Sequence, residues 1–202
     1  MKYLGIYVDN DMKWSSHINF VCNNLSSTSY LMSQFAKYKN SCLLKLLYNG
    51  LVESRLRYGL PVWGSAPQYL LKRVFVNQKR IVRIMAGLKP RVSCKDKFKE
   101  LGILTFPSLY IYETIIYAKY NSLGGTDGTA VHEYNTRSCI NLRQTPHRSS
   151  LAAGLPQNAG ARFFWKLPDE IKNTPSKNCF KNKLKEYLIC GGFYSVGEFM
   201  LA

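Results

Sequence analysis

The sequence is poor in acidic residues and lacks the paired cysteines and histidines that metal sites use. Only 12 of its 202 residues are Asp or Glu, against 28 Lys and Arg. Its six cysteines form no CxxC pair, and its three histidines form no HxxxH pair. Zinc sites usually draw on such pairs. We therefore expect no metal site, and we expect each cysteine to be a small buried side chain.

Long apolar runs and nucleotide or nucleophile motifs are also missing. No stretch approaches the ~20 consecutive apolar residues that a membrane-spanning helix needs. No signal peptide precedes Cys22, which favours a reducing intracellular compartment, nuclear or cytoplasmic. Neither GxSxG nor a P-loop is present, so we expect no small-molecule substrate. Because no apolar run is long enough to span a bilayer, we also expect no membrane partner. His17 lies near a predicted helix start, where an exposed or capping role is expected.

What the sequence does contain is helical periodicity along most of its length, which predicts a mainly α fold. Tyr3–Val8 is the exception, because its apolar run predicts one buried strand, closed by a turn at Asp9-Asn10-Asp11. A Gly-rich stretch of little periodicity over 122–160 predicts an irregular linker. The predicted segments are 1–11 (strand), 12–121 (helical region), 122–160 (linker) and 161–202 (C-terminal helical segment). The main helices are predicted from Ser15 or Ser16 onward, over Ser41–Tyr58, over Pro67–Gly87, from Pro107 to about Asn121, and over Ser176–Cys190.

Finer signals are carried by helix caps and by a group of tyrosines. Ser93 with Asp96, and Ser195 with Glu198, have the spacing of a capping box. The helix after Pro107 holds four tyrosines, which could stack on bases but are more typical of core packing. These four are Tyr110, Tyr112, Tyr117 and Tyr120.

The helix predicted over Pro67–Gly87 carries the strongest functional signal. Its apolar residues fall on one face, and basic residues fall opposite, with Val76 among them. No acidic residue stands four positions from these basic residues on that face, as a purely structural surface would normally provide. A phosphate backbone would relieve the resulting self-repulsion and release counterions. The candidate nucleic-acid-binding residues are Lys72, Arg73, Lys79, Arg80, Arg83, Lys89, Arg91, Lys95, Lys97 and Lys99.

A catalytic metal site is not indicated by the acidic residues that are present. Tyr7-Val8-Asp9-Asn10 departs from the Tyr-x-Asp-Asp turn with which reverse transcriptases hold two Mg²⁺ ions, because Asn10 replaces the second aspartate. Asp9 and Asp11 are typical of an ordinary turn.

Several segments, in order, resemble the C-terminal part of jockey-like reverse transcriptases, which belong to non-LTR retrotransposons of arthropods. They are "KYLGIYVDNDMKWSSHI", "LLYNGLVESRLRYGLPVWGS", "QKRIVRIMAGLKPRVSCKDKFKELGILTFPSLYIYE", "HEYNTRS" and "ARFFWKLPDEIK". The resemblance implies that Leu4 and Gly5 belong to the primer grip, the last strand element of the palm. The following helices would form a thumb-like bundle, and the basic helix would lie along a template–primer duplex or the element's RNA.

The same resemblance implies that the catalytic aspartates precede this chain. The opening strand would be a remnant of the palm sheet, Mg²⁺ would belong to the missing palm, and the chain alone would lack polymerase activity. The C-terminal zinc knuckle of some relatives has no counterpart in the cysteine and histidine spacing. Expected partners are RNA or DNA, bound through phosphates, and the oligomeric state is open. The alternatives are an independent or co-opted basic helical module that binds RNA or DNA, and a protein-interaction scaffold on which the charge is incidental.

Overall fold

The computed structural model describes residues 1–120, 142 and 144–202, and the chain is mainly α. Contacts divide it into two units, Met1–Phe106 and Pro107–Ala202. The first unit contains strands β1 (Lys2–Tyr3) and β2 (Ile6–Tyr7) and helices α1 (Ser15–Phe35), α2 (Ser41–Leu47), α3 (Ser54–Arg57), α4 (Leu60–Trp63), α5 (Gln68–Met85) and α6 (Lys95–Leu101). Helix α7 (Phe106–Tyr120) begins at the boundary, and the second unit continues with α8 (Ser150–Ala153), α9 (Pro156–Trp165), α10 (Asp169–Lys172), α11 (Lys177–Gly191) and α12 (Val196–Leu201).

The predicted single buried strand over Tyr3–Val8 is wrong, because the chain reverses in its middle. β1 and β2 pair antiparallel, with Tyr3 opposite Ile6. Leu4 and Gly5 form the turn at φ 44° and 82°, and positive φ at both central positions matches the twist of a two-residue hairpin. Glycine adopts this conformation without steric cost. The apolar run therefore forms a small hairpin that is exposed over β1 and half-buried over β2.

Helix α1 begins at Ser15, as its periodicity predicts. Its buried stripe includes Ile18, Leu25 and Met32, which recur at the spacing of one helical face. The Asp9 carboxylate accepts a hydrogen bond from the Ser16 amide at 3.2 Å, in the first turn of the helix. Hydrogen bonds from Ser16, chiefly from its side chain and also from its amide, lower the pKa of Asp9. The amide bond ties the loop after the hairpin to the start of α1.

The helix predicted over Ser41–Tyr58 is confirmed, with a change of helical pitch in its middle. α2 runs without a break into a π-helical segment, Tyr48–Glu53, and then into α3. Tyr48 and Val52 are buried in this segment. Wider turns of this kind re-aim side chains relative to a regular α-helix. They place the Tyr48 hydroxyl against α5.

Helix α5 has the predicted apolar face, and it also buries a glutamine that the sequence analysis did not identify. Gln78 is fully buried and donates to the Tyr48 hydroxyl and to the Leu104 carbonyl, each at 2.9 Å. Its side-chain oxygen accepts from the Phe106 amide at 2.7 Å. Gln78 therefore satisfies the first amide of α7, which has no partner within its own helix.

The capping box predicted at Ser93 and Asp96 is not formed. Cys94 occupies the N-cap position of α6, and no side chain caps the helix. The Ser93 hydroxyl is instead 3.5 Å from the Lys95 amide. The Cys94 side chain is buried in the core at this helix start. At Ser195 the N-cap bond of the predicted capping box forms, with the Glu198 amide donating to the Ser195 hydroxyl at 3.1 Å. The Glu198 carboxylate accepts from the Tyr194 amide at 2.6 Å instead of from the Ser195 amide.

The second unit has a core of aromatic side chains. Phe163 lies edge-on to Tyr110 at 5.7 Å and to Phe199 at 6.0 Å between ring centroids. Lys119 places its ammonium 4.0 Å from the centre of the Phe180 ring. Tyr110 and Tyr112 are buried, which favours core packing over base stacking for this pair.

Part of the predicted linker over 122–160 is helical, because α8 and the start of α9 lie within it. Pro156 suits the first turn of α9, since its missing amide would have no helical partner there. Residues 121–141 and 143 of that prediction lie outside the described residues. The predicted division into domains stays a prediction.

The cysteines differ from the expectation that each would be buried. Cys22 and Cys94 are buried, whereas Cys42, Cys179 and Cys190 are exposed, and Cys139 lies outside the described residues. Among the described residues, no group of three or more His, Cys, Asp or Glu side chains could hold a metal ion. In the same part of the chain no single helix is long and apolar enough to cross a bilayer, and α6 and α7 meet that criterion only when taken together.

Candidate nucleic-acid interface

The basic residues of α5 share one side of the helix. At about 100° per residue, Lys72, Arg73, Lys79, Arg80 and Arg83 fall within roughly 120° of arc. We call these five residues the basic face. Its side chains are exposed or half-buried, and the opposite side of α5 packs on α1 and contributes to the core.

Three cations of the basic face are positioned by contacts. Arg73 donates to the Asn19 side chain on α1 at 2.8 Å. The Lys79 ammonium lies 4.6 Å from the centre of the Phe75 ring, and Arg83 donates through Nε to the Val92 carbonyl at 2.8 Å. The contacts of Arg73 and Arg83 neutralise no charge, because the acceptors are an amide oxygen and a carbonyl oxygen. These two contacts hold the guanidinium groups in place and leave their charge available to a phosphate.

The loop after α5 extends the positive charge. Lys89 and Arg91 are exposed in the loop, which begins where the Leu88 amide donates to the Arg83 carbonyl at 2.9 Å. Together with the Arg83–Val92 bond, this contact folds the loop against the end of α5.

Helix α6 carries the other three candidate cations, but not on one side. Phe98 packs against Phe75 at 6.2 Å and fixes α6 to α5. Lys95 and Lys99 are one turn apart and exposed, whereas Lys97 lies more than about 150° around the helix from both. Lys97 also pairs with Glu100 at 2.6 Å. The sequence analysis treated all three as one group, and the structure separates Lys97 from the other two.

The hairpin turn formed by Leu4 and Gly5 is held by Tyr58, which follows α3. The Tyr58 hydroxyl donates to the Leu4 carbonyl. A Cβ added at Gly5 would lie 3.5 Å from the Tyr58 ring. The turn is therefore fixed against the helical part of the first unit, although the Leu4 side chain itself is exposed.

A cleft of about 530 Å³ opens between the hairpin, α1 and α3. Its lining includes Gly5, His17, Phe20, Arg55 and Tyr58. Arg55 donates to the Thr28 hydroxyl at 2.8 Å, which orients the guanidinium beside α1. The sequence analysis did not single out Phe20, Arg55 or Tyr58, because residues that meet only through the tertiary fold leave no local pattern.

The exposed or capping role predicted for His17 is wrong, because its side chain is 3% exposed. Nδ1 accepts from the Tyr7 amide at 3.5 Å, and the ring meets Trp63 edge-on at 5.4 Å. Burial lowers the pKa of His17, which favours the neutral ring. Among the described residues, Nε2 finds no hydrogen-bond partner. The helix start alone did not reveal that the hairpin and Trp63 cover this side of α1.

Comparison with known proteins gives one relationship. Over 108 residues the chain is 25% identical to the probable RNA-directed DNA polymerase from transposon X-element of Drosophila melanogaster. The alignment covers 52% of this chain and 12% of the fly protein. No family model and no solved structure matches the chain. The similarity supports a relationship to a retrotransposon reverse transcriptase.

Proposed function

We propose that this chain is a part of a jockey-like non-LTR reverse transcriptase that lies C-terminal to the palm. The similarity to the X-element polymerase supports this proposal, as does the order of segments that resemble the primer grip and thumb. Leu4 and Gly5 would then lie near the primer end, and the helices after them would form the thumb.

The chain contains no Tyr-x-Asp-Asp turn to hold catalytic Mg²⁺. We therefore expect the purified 202-residue protein to extend no primer on an RNA or DNA template with Mg²⁺ present. Measurable nucleotide incorporation, retained after repurification, would contradict this part of the proposal.

The function of this part would be to bind RNA or DNA through phosphates. The observation that carries this proposal is the basic face of α5, on which Arg73 and Arg83 are held in place by neutral oxygen acceptors. Lys89 and Arg91 continue the charge into the adjoining loop, and Lys95 and Lys99 supply further exposed cations on α6. Such a surface fits the backbone of a nucleic acid and carries no base code of its own.

A salt titration tests the electrostatic origin of binding. If about six phosphates are neutralised on a duplex, affinity falls by roughly 10³-fold between about 50 and 200 mM salt. Fluorescence anisotropy with a labelled duplex of mixed sequence gives the slope. A flat salt response would leave the phosphate-binding proposal without support.

A charge-matched pair of variants tests where the nucleic acid binds. Replacing Lys79, Arg80 and Arg83 by Gln should make the slope of log affinity against log salt shallower by about three. The weakening should be equal for all sequences, since phosphate contacts are not sequence-specific. The control replaces Lys181, Lys183 and Lys185 of α11 by Gln, which removes the same charge from another helix. Equal losses in both variants would assign binding to net charge rather than to the basic face.

A protein-interaction scaffold is the second candidate function, and exposed apolar side chains favour it. Tyr30 and Leu31 of α1, Tyr38, and Leu46 of α2 are exposed. Exposed apolar side chains mark an interaction site when they lie together in one patch. Replacing Leu31 and Leu46 by Ser should leave oligonucleotide affinity unchanged if the first proposal holds. A self-association that these substitutions abolish, detected by sedimentation velocity, would favour the scaffold.

A further inference from the structure

Two exposed apolar side chains lie within the basic face of α5, and phosphate binding gives them no role. Tyr69 is 64% exposed and Val76 is 53% exposed. At about 100° per residue they project within about 20° of each other, inside the arc of roughly 120° that the basic face spans. The other apolar side chains of α5 are buried or half-buried. Packing of the core therefore does not explain these two.

Cationic and apolar side chains alternate along this side of the helix. Lys72 and Arg73 lie one turn after Tyr69 and are exposed. Val76 follows one turn later, and the exposed Arg80 one turn after that. Residues three and four apart are neighbours on a helix surface, with about 5–6 Å between their Cβ atoms. Each of the two apolar side chains therefore lies beside exposed cations.

A single strand of RNA or DNA offers partners for both kinds of side chain. Its phosphates pair with cations, and its unpaired bases present π-faces on which an aromatic ring can stack. A duplex keeps those faces inside its own stack of base pairs. It therefore offers phosphates to the cations but no base to the Tyr69 ring.

We propose that Tyr69 stacks on one unpaired base of a single-stranded RNA or DNA segment, whose adjoining phosphates are bound by Lys72 and Arg73. The assignment rests on the proposed nucleic-acid function and adds to it a site for unpaired strand at the start of α5. No base preference is expected, because every base has a π-face.

A single strand and its duplex separate stacking from phosphate binding. The probes are a labelled oligonucleotide of about 12 nucleotides and the same strand annealed to its complement, each titrated with the full chain and followed by fluorescence anisotropy. Tyr69→Ala should weaken binding of the single strand by roughly 5- to 150-fold, the loss expected for one stacking ring, and leave binding of the duplex unchanged. The slope of log affinity against log salt should stay the same, because no charge is removed. Equal losses on both probes, or no loss on the single strand, would overturn the proposal.

Two matched variants identify the ring as the contact. Tyr69→Phe keeps the ring and removes the hydroxyl, so it should bind the single strand as tightly as the unmodified chain. Tyr38→Ala removes a ring that is 75% exposed and stands between two lysines in the sequence, but lies outside α5, and it should have no effect. A loss in Tyr69→Phe as large as in Tyr69→Ala would indicate a hydroxyl contact, and an equal loss in Tyr38→Ala would show that any exposed ring serves. Either result contradicts the assignment.

The unmodified chain supplies a test that does not depend on the folding of a variant. A base stacked on the Tyr69 ring shields the ring protons. Their ¹H signals should therefore move upfield when the chain is saturated with the single strand, and should stay in place with the duplex. Unmoved signals in the presence of bound single strand would rule out stacking at Tyr69.

The two proposals fail in different ways. If both probes bind with the expected salt dependence and Tyr69→Ala binds the single strand normally, the stacking assignment alone is wrong. If the single strand binds without salt dependence and Tyr69→Ala weakens it, phosphate binding by the basic face is wrong and stacking stands. If neither probe binds, both proposals are wrong.

Discussion

Replacing Gln78 by Leu should strongly destabilise the first unit. Leu keeps most of the side-chain volume and removes three hydrogen bonds from a fully buried position, those to Tyr48, Leu104 and Phe106. Each buried partner left unsatisfied costs about 1–3 kcal/mol. Because the three groups share one network, we expect a total of about 3–6 kcal/mol, a large part of a typical 5–15 kcal/mol of stability.

Urea unfolding followed by circular dichroism measures the global loss, and amide hydrogen exchange at Phe106 measures the local one. Loss of Gln78 should reduce the protection of that amide, since its acceptor is gone. Gln68→Leu, at an exposed position of the same helix, should change stability by no more than about 0.5 kcal/mol. The double variant of Gln78→Leu with Tyr48→Phe should recover about 1 kcal/mol, because it removes one of the orphaned groups. A loss below about 1 kcal/mol for Gln78→Leu would refute the reasoning.

Two further predictions concern pH and packing. Burial lowers the pKa of His17. Below about pH 6.5 the unfolded chain therefore binds a proton before the folded chain does, and the free energy of unfolding decreases. Urea midpoints measured at about pH 7.5 and 5.5 should show this decrease, and His17→Gln should remove it. Gly160→Ala should lower the free energy of unfolding by about 1–3 kcal/mol, because the new Cβ would overlap Ala118. Gly50→Ala has open space around the new Cβ, so it should leave this free energy unchanged or raise it by up to about 1 kcal/mol. Thermal unfolding measures both variants.

Local features of the sequence predicted most helices well. The long helices have apolar residues at regular three- and four-residue spacing, and burial of that stripe stabilises each helix in any compact fold. The basic face of α5 was visible for the same reason, since the side opposite a buried stripe must be exposed. The predicted N-cap at Ser195 was confirmed because its hydrogen bond spans only three residues.

Errors arose where a residue's environment depends on distant parts of the chain. His17 is buried because the hairpin and Trp63 cover it, and no pattern around residue 17 contains either element. The strand prediction over Tyr3–Val8 failed at a turn whose conformation is held by Tyr58, more than 50 residues away. Lys97 was grouped with Lys95 and Lys99 by sequence proximity, although helical geometry separates them.

The sequence alone determined the helical class, the excess of positive charge and the helix face that carries it, because all three depend on composition and on contacts within a few residues. The tertiary structure decided that Gln78 joins α5 to the start of α7, that Tyr58 holds the hairpin turn, and that a cleft forms beside His17. Those features arise from residues that are dozens of positions apart, and only packing of the whole first unit brings them within hydrogen-bonding distance.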